Sequence, residues 1–113
     1  MRRPAAPERG DLVWIDFSPQ AGREQVGRRP GLVLTPRPYN TVTGRLVACP
    51  ITSRRKGYPF EVAVEAESVN GVILADHLKS LDWRQRNVTR IGRADPETMD
   101  AVVKLIGKLL GTG

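Results

Sequence analysis

The chain has one cysteine, one histidine, and two each of tryptophan, tyrosine and phenylalanine in 113 residues. A lone cysteine, Cys49, excludes an internal disulfide and agrees with a reducing compartment. It sits in an apolar run and reads as a small buried hydrophobe rather than a nucleophile. With His77 alone, and no cysteine pair or carboxylate cluster at ligand spacing, no metal site is expected and no cofactor is called for. Acidic residues are the minority, 12 against 18 basic, so the net charge is +6 and the pI about 10.2. That balance favours a polyanionic partner such as nucleic acid. No apolar stretch approaches the roughly 20 residues of a membrane span. The opening MRRPAAPERG has two prolines and no hydrophobic segment of the signal-peptide kind. A cytoplasmic protein is therefore expected, with residues 1–9 a flexible arm and residues 10–113 one domain.

Glycine and proline are abundant, 11 and 9 residues, which suits short strands and tight turns. The chain is organised around GREQVGRRPGLVL, Gly22 to Leu34, a charged loop between two apolar strands. Glycines let such a loop bend its charges toward one point. Pro30 fixes its own φ and pushes Arg29 toward an extended conformation, so Arg29 is a stiffly mounted cation at a strand entrance. Composition alone describes the same stretch as a solvated hairpin loop.

In chain order, Leu12 to Phe17 alternates two faces, with Val13, Ile15 and Phe17 on one and Leu12, Trp14 and Asp16 on the other. Gly31 to Thr35 follows, then a turn over Asn40 to Gly44, then a strand from Leu46 to Thr52. Within that strand Pro50 marks an edge or bulge, because it cannot donate a ladder hydrogen bond. Thr52 and Ser53 emerge at its end, directly before Arg54-Arg55-Lys56-Gly57. Further strand pieces are Glu61 to Val64, Val72 to Ala75, Leu78 to Leu81 and Val88 to Arg93, and Asn70-Gly71 is a turn signal. Asp95-Pro96 opens a helix, with Asp95 set to cap its free amides. Met99, Val102, Val103, Ile106, Leu109 and Leu110 form an apolar stripe read as core packing. The expected architecture is mostly β: a small, curved, antiparallel sheet closed by a C-terminal helix.

Metal-free phosphodiester cleavage needs an activated 2′-hydroxyl, charge stabilisation at phosphorus and a proton for the leaving oxygen. Arg29 supplies planar, always-charged donors, Thr52 a hydroxyl at a strand end, and Glu24 a carboxylate five positions before Arg29. Arg54, Arg55 and Lys56 add a basic rim, with Tyr58 and Phe60 nearby for base stacking.

The segments GDLVWIDFSPQAGREQVGRRPGLVL, YN…TG, PITSRRKGYPFEV and GVILADHLKSLDWRQR closely resemble the MazF/PemK family of toxin endoribonucleases, in family order and across nearly the whole chain after residue 9. The resemblance implies an SH3-like, CcdB-like barrel, usually a homodimer, that cleaves single-stranded RNA (mRNA) without metal and is neutralised by a cognate acidic antitoxin. It implies catalytic roles for Arg29 and Thr52, with Glu24 at the position of the loop glutamate. The RNA-binding set expected beside them draws Gln25 and Arg28 from the loop and Ser53, Arg54 and Lys56 from the end of the third strand. Phe17, Asp76, Lys79 and Arg86 complete it. Asp76 matches an acid of the PemK branch, but that branch's histidine is replaced by Ser18. Trp14, Phe17 and Trp83 are the apolar anchors expected for the antitoxin. Two other readings stand beside this one. A gyrase inhibitor similar to CcdB would use a C-terminal tryptophan tail, which Leu110-Gly111-Thr112-Gly113 lacks. A plain nucleic-acid-binding barrel needs only the basic balance.

Overall fold

The computed structural model describes residues 5–17, 27–66 and 68–113. Seven strands among the described residues form one curled antiparallel sheet: β1 Asp11–Asp16, β2 Arg28–Val33, β3 Arg45–Thr52, β4 Glu61–Ala66, β5 Val69–Leu74, β6 Lys79–Asp82 and β7 Thr89–Arg93. Among the described residues two α-helices join them, α1 Arg37–Thr43 between β2 and β3, and α2 Pro96–Leu109 at the C-terminal end. The sheet order is β4-β5-β3-β2-β1-β7, with β6 also on β3. The two ends, β4 and β7, do not pair, so the sheet is a half-barrel rather than a closed cylinder. No described helix is long and apolar enough to cross a membrane.

Alternation along β1 divides two apolar clusters. Val13, Ile15 and Phe17 pack with Val33, Leu46, Ala48, Leu81 and Trp83. Leu12 points the other way, with Leu32, Cys49, Ile51, Ile73 and the α2 residues Met99 and Val102. Both faces of the central strands are thereby covered, which is why β2 and β3 read as nearly continuous apolar runs.

β3 is the hinge of the architecture. Along one edge it pairs with β2 through Val33↔Ala48, Leu32↔Cys49 and Gly31↔Pro50. Along its other edge it pairs first with β6, at residues 45–48, and then with β5, at Ile51 and Thr52. Pro50 is therefore inside a central strand, not at an edge. It is tolerated because it falls where one partner has ended and the next has not begun, so its missing N–H leaves no ladder bond unmade.

Two turn signals are resolved differently by the fold. Asn40 lies in α1, not a turn: Pro36 is the N-cap and Pro38 is accommodated in the first helical turn, where a missing N–H costs nothing. Gly44 ends the helix in the left-handed conformation at φ 70°. Buried Asn40 ties this corner together. Its amide donates to the carbonyls of Pro7 and Thr35 at 2.8 and 2.9 Å, its Oδ1 accepts from Thr35, and its own carbonyl accepts from Trp83 Nε1 at 2.8 Å. Asn70-Gly71 likewise lies inside β5, paired with Glu65 and Val64.

Residues 5–9, expected to be part of a loose arm, are docked. Ala6 is buried, its carbonyl accepts from Arg37 Nε at 2.8 Å, and the Glu8 carboxylate accepts the amides of Arg37 and Arg9. Those two amides hold the Glu8 carboxyl below its ordinary range. Asp11 is buried and receives Arg93 Nη1 at 3.1 Å and Arg90 Nε at 3.3 Å, fastening β7 to β1.

In α2, Asp95 occupies the N-cap, but its carboxylate accepts from the Thr98 hydroxyl at 2.9 Å rather than from a backbone amide. The apolar stripe is only half used. Met99 and Val102 are in the core and Leu105 and Ile106 pack against it, whereas Val103, Leu109 and Leu110 are exposed.

Candidate active site

The β2/β3 ladder ends at Gly31↔Pro50. Two residues beyond that last pair, on each strand, stand Arg29 and Thr52. Pro30 has no N–H to continue the ladder, and Ile51-Thr52 turns to pair with β5 instead. The fork opens onto a groove of about 650 Å³, lined on the β2 side by Trp14, Arg28, Arg29 and Pro30. Its other walls come from β3 and the loop after it (Ile51 to Arg54, Lys56, Tyr58, Phe60), from Glu61 and the start of β5, and from Asp76 and His77.

Thr52 is held from two sides. A Cβ at Gly71 would lie 2.3 Å from the Thr52 carbonyl oxygen and 2.9 Å from its carbonyl carbon. Only glycine lets β5 approach this closely, so the motif read as a turn serves instead to seat Thr52. The Thr52 Oγ1 accepts the Arg54 amide at 3.2 Å. With an acceptor lone pair so occupied, the hydroxyl hydrogen remains available to donate into the groove.

Arg28 and Arg29, adjacent in sequence, do different work. The Arg28 guanidinium donates to the Asn87 carbonyl and to Thr89 Oγ1, and lies 3.8 Å from Asp16, so it is tied to β1 and β7. Among the described residues no acceptor or carboxylate holds Arg29, which is exposed at the mouth of the fork. Opposite it, residues 53–59 are all exposed, and the Lys56 ammonium lies 6.0 Å from the centroid of the Tyr58 ring. Tyr58 is 61% exposed, a flat apolar platform beside the Lys56 ammonium.

Asp76 and His77 form the remaining wall, with His77 Nε2 3.7 Å from Asp76 Oδ1. Behind the groove, Cys49 is fully buried, and desolvation, reinforced by the Asp76 charge, pushes its thiol up from 9.0 to about 12. It is thus protonated and unavailable as a nucleophile. Among the described residues, no three His, Cys, Asp or Glu gather as a candidate metal cluster.

Of the residues singled out from the sequence, the groove assembles Arg28, Arg29, Thr52, Ser53, Arg54, Lys56 and Asp76. Glu24 and Gln25 lie outside the described residues. Three others are not groove residues. Phe17 is a core side chain, 7% exposed and packed over Gly31. Arg86 donates to the Asp16 and Phe17 carbonyls at 2.9 and 3.2 Å and clamps the end of β1. Lys79 is exposed on β6, paired with Ala48, away from the groove lining. Of the three aromatic anchors, Trp14 lines the groove but Phe17 and Trp83 are buried; an aromatic on a strand reads alike whether it faces core or solvent. Glu61 and Asn70 were not singled out as site residues, since their place in the groove depends on how β4 and β5 pair.

Comparison with known proteins fits this geometry. The profile of a family described as the PemK-like, MazF-like toxin of type II toxin–antitoxin systems matches residues 8–110. The Endoribonuclease toxin MazF of Escherichia coli strain K12 is 45% identical over 105 residues, covering 93% of this chain and 95% of that protein. The crystal structure of MazF (Form-I) from Deinococcus radiodurans superposes with a TM-score of 0.85 at 54% identity, covering 94% and 97% of the two chains. A MazE-MazF complex (Form-III) from the same organism gives 0.83 at 46% identity, covering 96% and 99%.

Proposed function

The chain belongs to the PemK-like, MazF-like toxin family, and from that premise we propose that it is an endoribonuclease toxin cutting single-stranded RNA in the cytoplasm without a metal. One observation carries the reading: Arg29 and Thr52 flank the fork where β2 and β3 part, within a single groove rimmed by Arg28, Arg54 and Lys56.

In this reading a phosphodiester lies across the fork with its phosphate toward Arg29. The RNA's own 2′-oxygen attacks phosphorus as its proton leaves to a base, a role assigned to Glu24. The P–O5′ bond breaks, and the departing oxygen takes up a proton. The products are a 2′,3′-cyclic phosphate and a 5′-hydroxyl, with no net proton consumed. Arg29 carries the charge that accumulates on the equatorial oxygens, a planar always-charged donor suited to that task. The Thr52 hydroxyl donates to one of those oxygens, its own oxygen already being engaged by the Arg54 amide. Arg54, Lys56 and Tyr58 hold the flanking backbone and a base.

The same basic groove suits an acidic antitoxin segment that folds onto it and displaces RNA. Trp14 is its available aromatic anchor. The chain works as a homodimer: the β4 and β7 edges, unpaired among the described residues, and the exposed Val103, Leu109 and Leu110 leave surface that a second copy covers.

The test is cleavage of mixed-sequence single-stranded RNA by the wild type beside Arg29→Ala and Thr52→Ala, all verified as folded. Each substitution is expected to lower the rate about 100- to 1,000-fold. A folded Arg29→Ala protein cutting at the wild-type rate contradicts the assignment. Failure of the wild type to cut any RNA returns the function to a non-catalytic binding barrel.

A further inference from the structure

Glu61 is the one described carboxylate besides Asp76 that lines the groove, among Arg28, Arg29, Arg54 and Lys56. A negative charge in a channel for phosphates opposes binding unless it serves something else. Its hydrogen bonds show what it serves. Oε2 accepts the Lys56 amide at 3.0 Å and Oε1 accepts the Gly57 amide at 3.0 Å, with the Lys56 amide also 3.3 Å from Oε1. Two successive backbone N–H groups thus converge on one carboxylate, the concave amide arrangement that binds anions. Gly57 adopts φ 78° to make it. The turn is closed by the Glu61 amide donating to the Tyr58 carbonyl at 3.1 Å.

We propose that Glu61 is a positioning residue for RNA, its carboxylate holding the basic 53–60 loop in the conformation that receives the substrate. The inference rests on the ribonuclease reading and adds to it a residue that acts through the loop. Glu61 is rigidly mounted as the first residue of β4, paired with Leu74. The loop it clasps is pinned at its other end by the Thr52–Arg54 bond. Between those two pins lie Arg54, Lys56 and Tyr58, the groups that meet RNA from this wall. Without the carboxylate, the amides of Lys56 and Gly57 turn to water and the loop samples other conformers. If a tenth of molecules then remain competent, apparent affinity falls about 10-fold. The fork itself is untouched, so kcat changes little.

The test compares wild type with Glu61→Ala, Glu61→Gln and Gly57→Ala. KM and kcat are read for RNA cleavage, and Kd by fluorescence anisotropy for a mixed-sequence 2′-O-methyl RNA that cannot be cut. Glu61→Ala is expected to raise KM and Kd about 10-fold with kcat within about 3-fold. Glu61→Gln, which keeps an acceptor oxygen for the amides, is expected to recover most of that loss. Gly57→Ala, strained at a positive φ, is expected to weaken binding as Glu61→Ala does, and it reads the clasp even if Glu61→Ala does not fold. If the carboxylate acts only through its charge, both Glu61 variants bind RNA more tightly than wild type, and that result overturns the proposal. So do unchanged KM and Kd in Glu61→Ala. A wild type that binds the 2′-O-methyl RNA but cuts none defeats the ribonuclease reading while leaving the clasp measurable by anisotropy.

Discussion

Thr52 owes its position to a residue with no side chain. Any Cβ at Gly71 meets the Thr52 backbone at 2.3 Å, and backbone in a central strand cannot swing aside as a flexible side chain can. Gly71→Ala is therefore expected to push β5 from β3, costing about 1–3 kcal/mol and lowering cleavage as Thr52 shifts. Thermal melting together with a cleavage rate checks both effects, and wild-type values in both contradict the role given to the glycine. Cys49 yields a second residue-level expectation. Its raised value means that the folded state holds the thiol proton more tightly than the unfolded chain. Its contribution is complete below about 9 and is lost as pH climbs from 9.0 toward about 12. At pH 8 the thiol is expected to resist Ellman's reagent until the protein is denatured; prompt labelling of the native protein contradicts this burial. The placement of Arg29 and Thr52 was legible in the sequence because Pro30 stiffens the entrance to one strand and the basic run after Ser53 marks the end of the other. Gly71 was not legible as a packing residue, since Asn-Gly carries the same signal whether it turns a chain or admits a neighbouring strand.

At the scale of elements, the strands and α2 could be read from periodicity, with boundaries within a few residues. The helix over Arg37–Thr43 could not. Its prolines suggest a break, yet two of them serve as N-cap and first-turn residues, and its stability comes from contacts distant in sequence. Asn40 supplies these, joining Pro7, Thr35 and Trp83 in a fully buried position. Asn40→Ala leaves the Trp83 bond, which uses the backbone, but strands the Pro7 and Thr35 groups. A loss of about 1–3 kcal/mol is expected, measured by urea unfolding; an unchanged midpoint contradicts the role of this corner. The exposed end of α2 shows the converse limit, because an apolar stripe says that a face will be covered without saying by what. Static light scattering at micromolar concentration is expected to give twice the monomer mass, and a monomer removes the homodimer from the account.

Across the whole molecule, the excess of 18 basic over 12 acidic residues has a local expression, since the groove gathers Arg28, Arg29, Arg54 and Lys56 against Glu61 and Asp76. Removing Arg54 or Lys56 is expected to weaken RNA binding at every sequence and to lower the slope of log K against log salt by about 0.7 for each phosphate no longer neutralised. Neither change is expected to alter the bond that is cut. The central claim is that a guanidinium and a hydroxyl, rather than a bound cation, carry the chemistry at the fork. The most direct measurement is cleavage of single-stranded RNA by protein dialysed against EDTA, with the new ends identified chemically. The account predicts an undiminished rate, 2′,3′-cyclic phosphate and 5′-hydroxyl ends, and near-complete loss in Arg29→Ala. Activity that vanishes in EDTA and returns with a divalent cation, or products bearing 5′-phosphates, contradicts it.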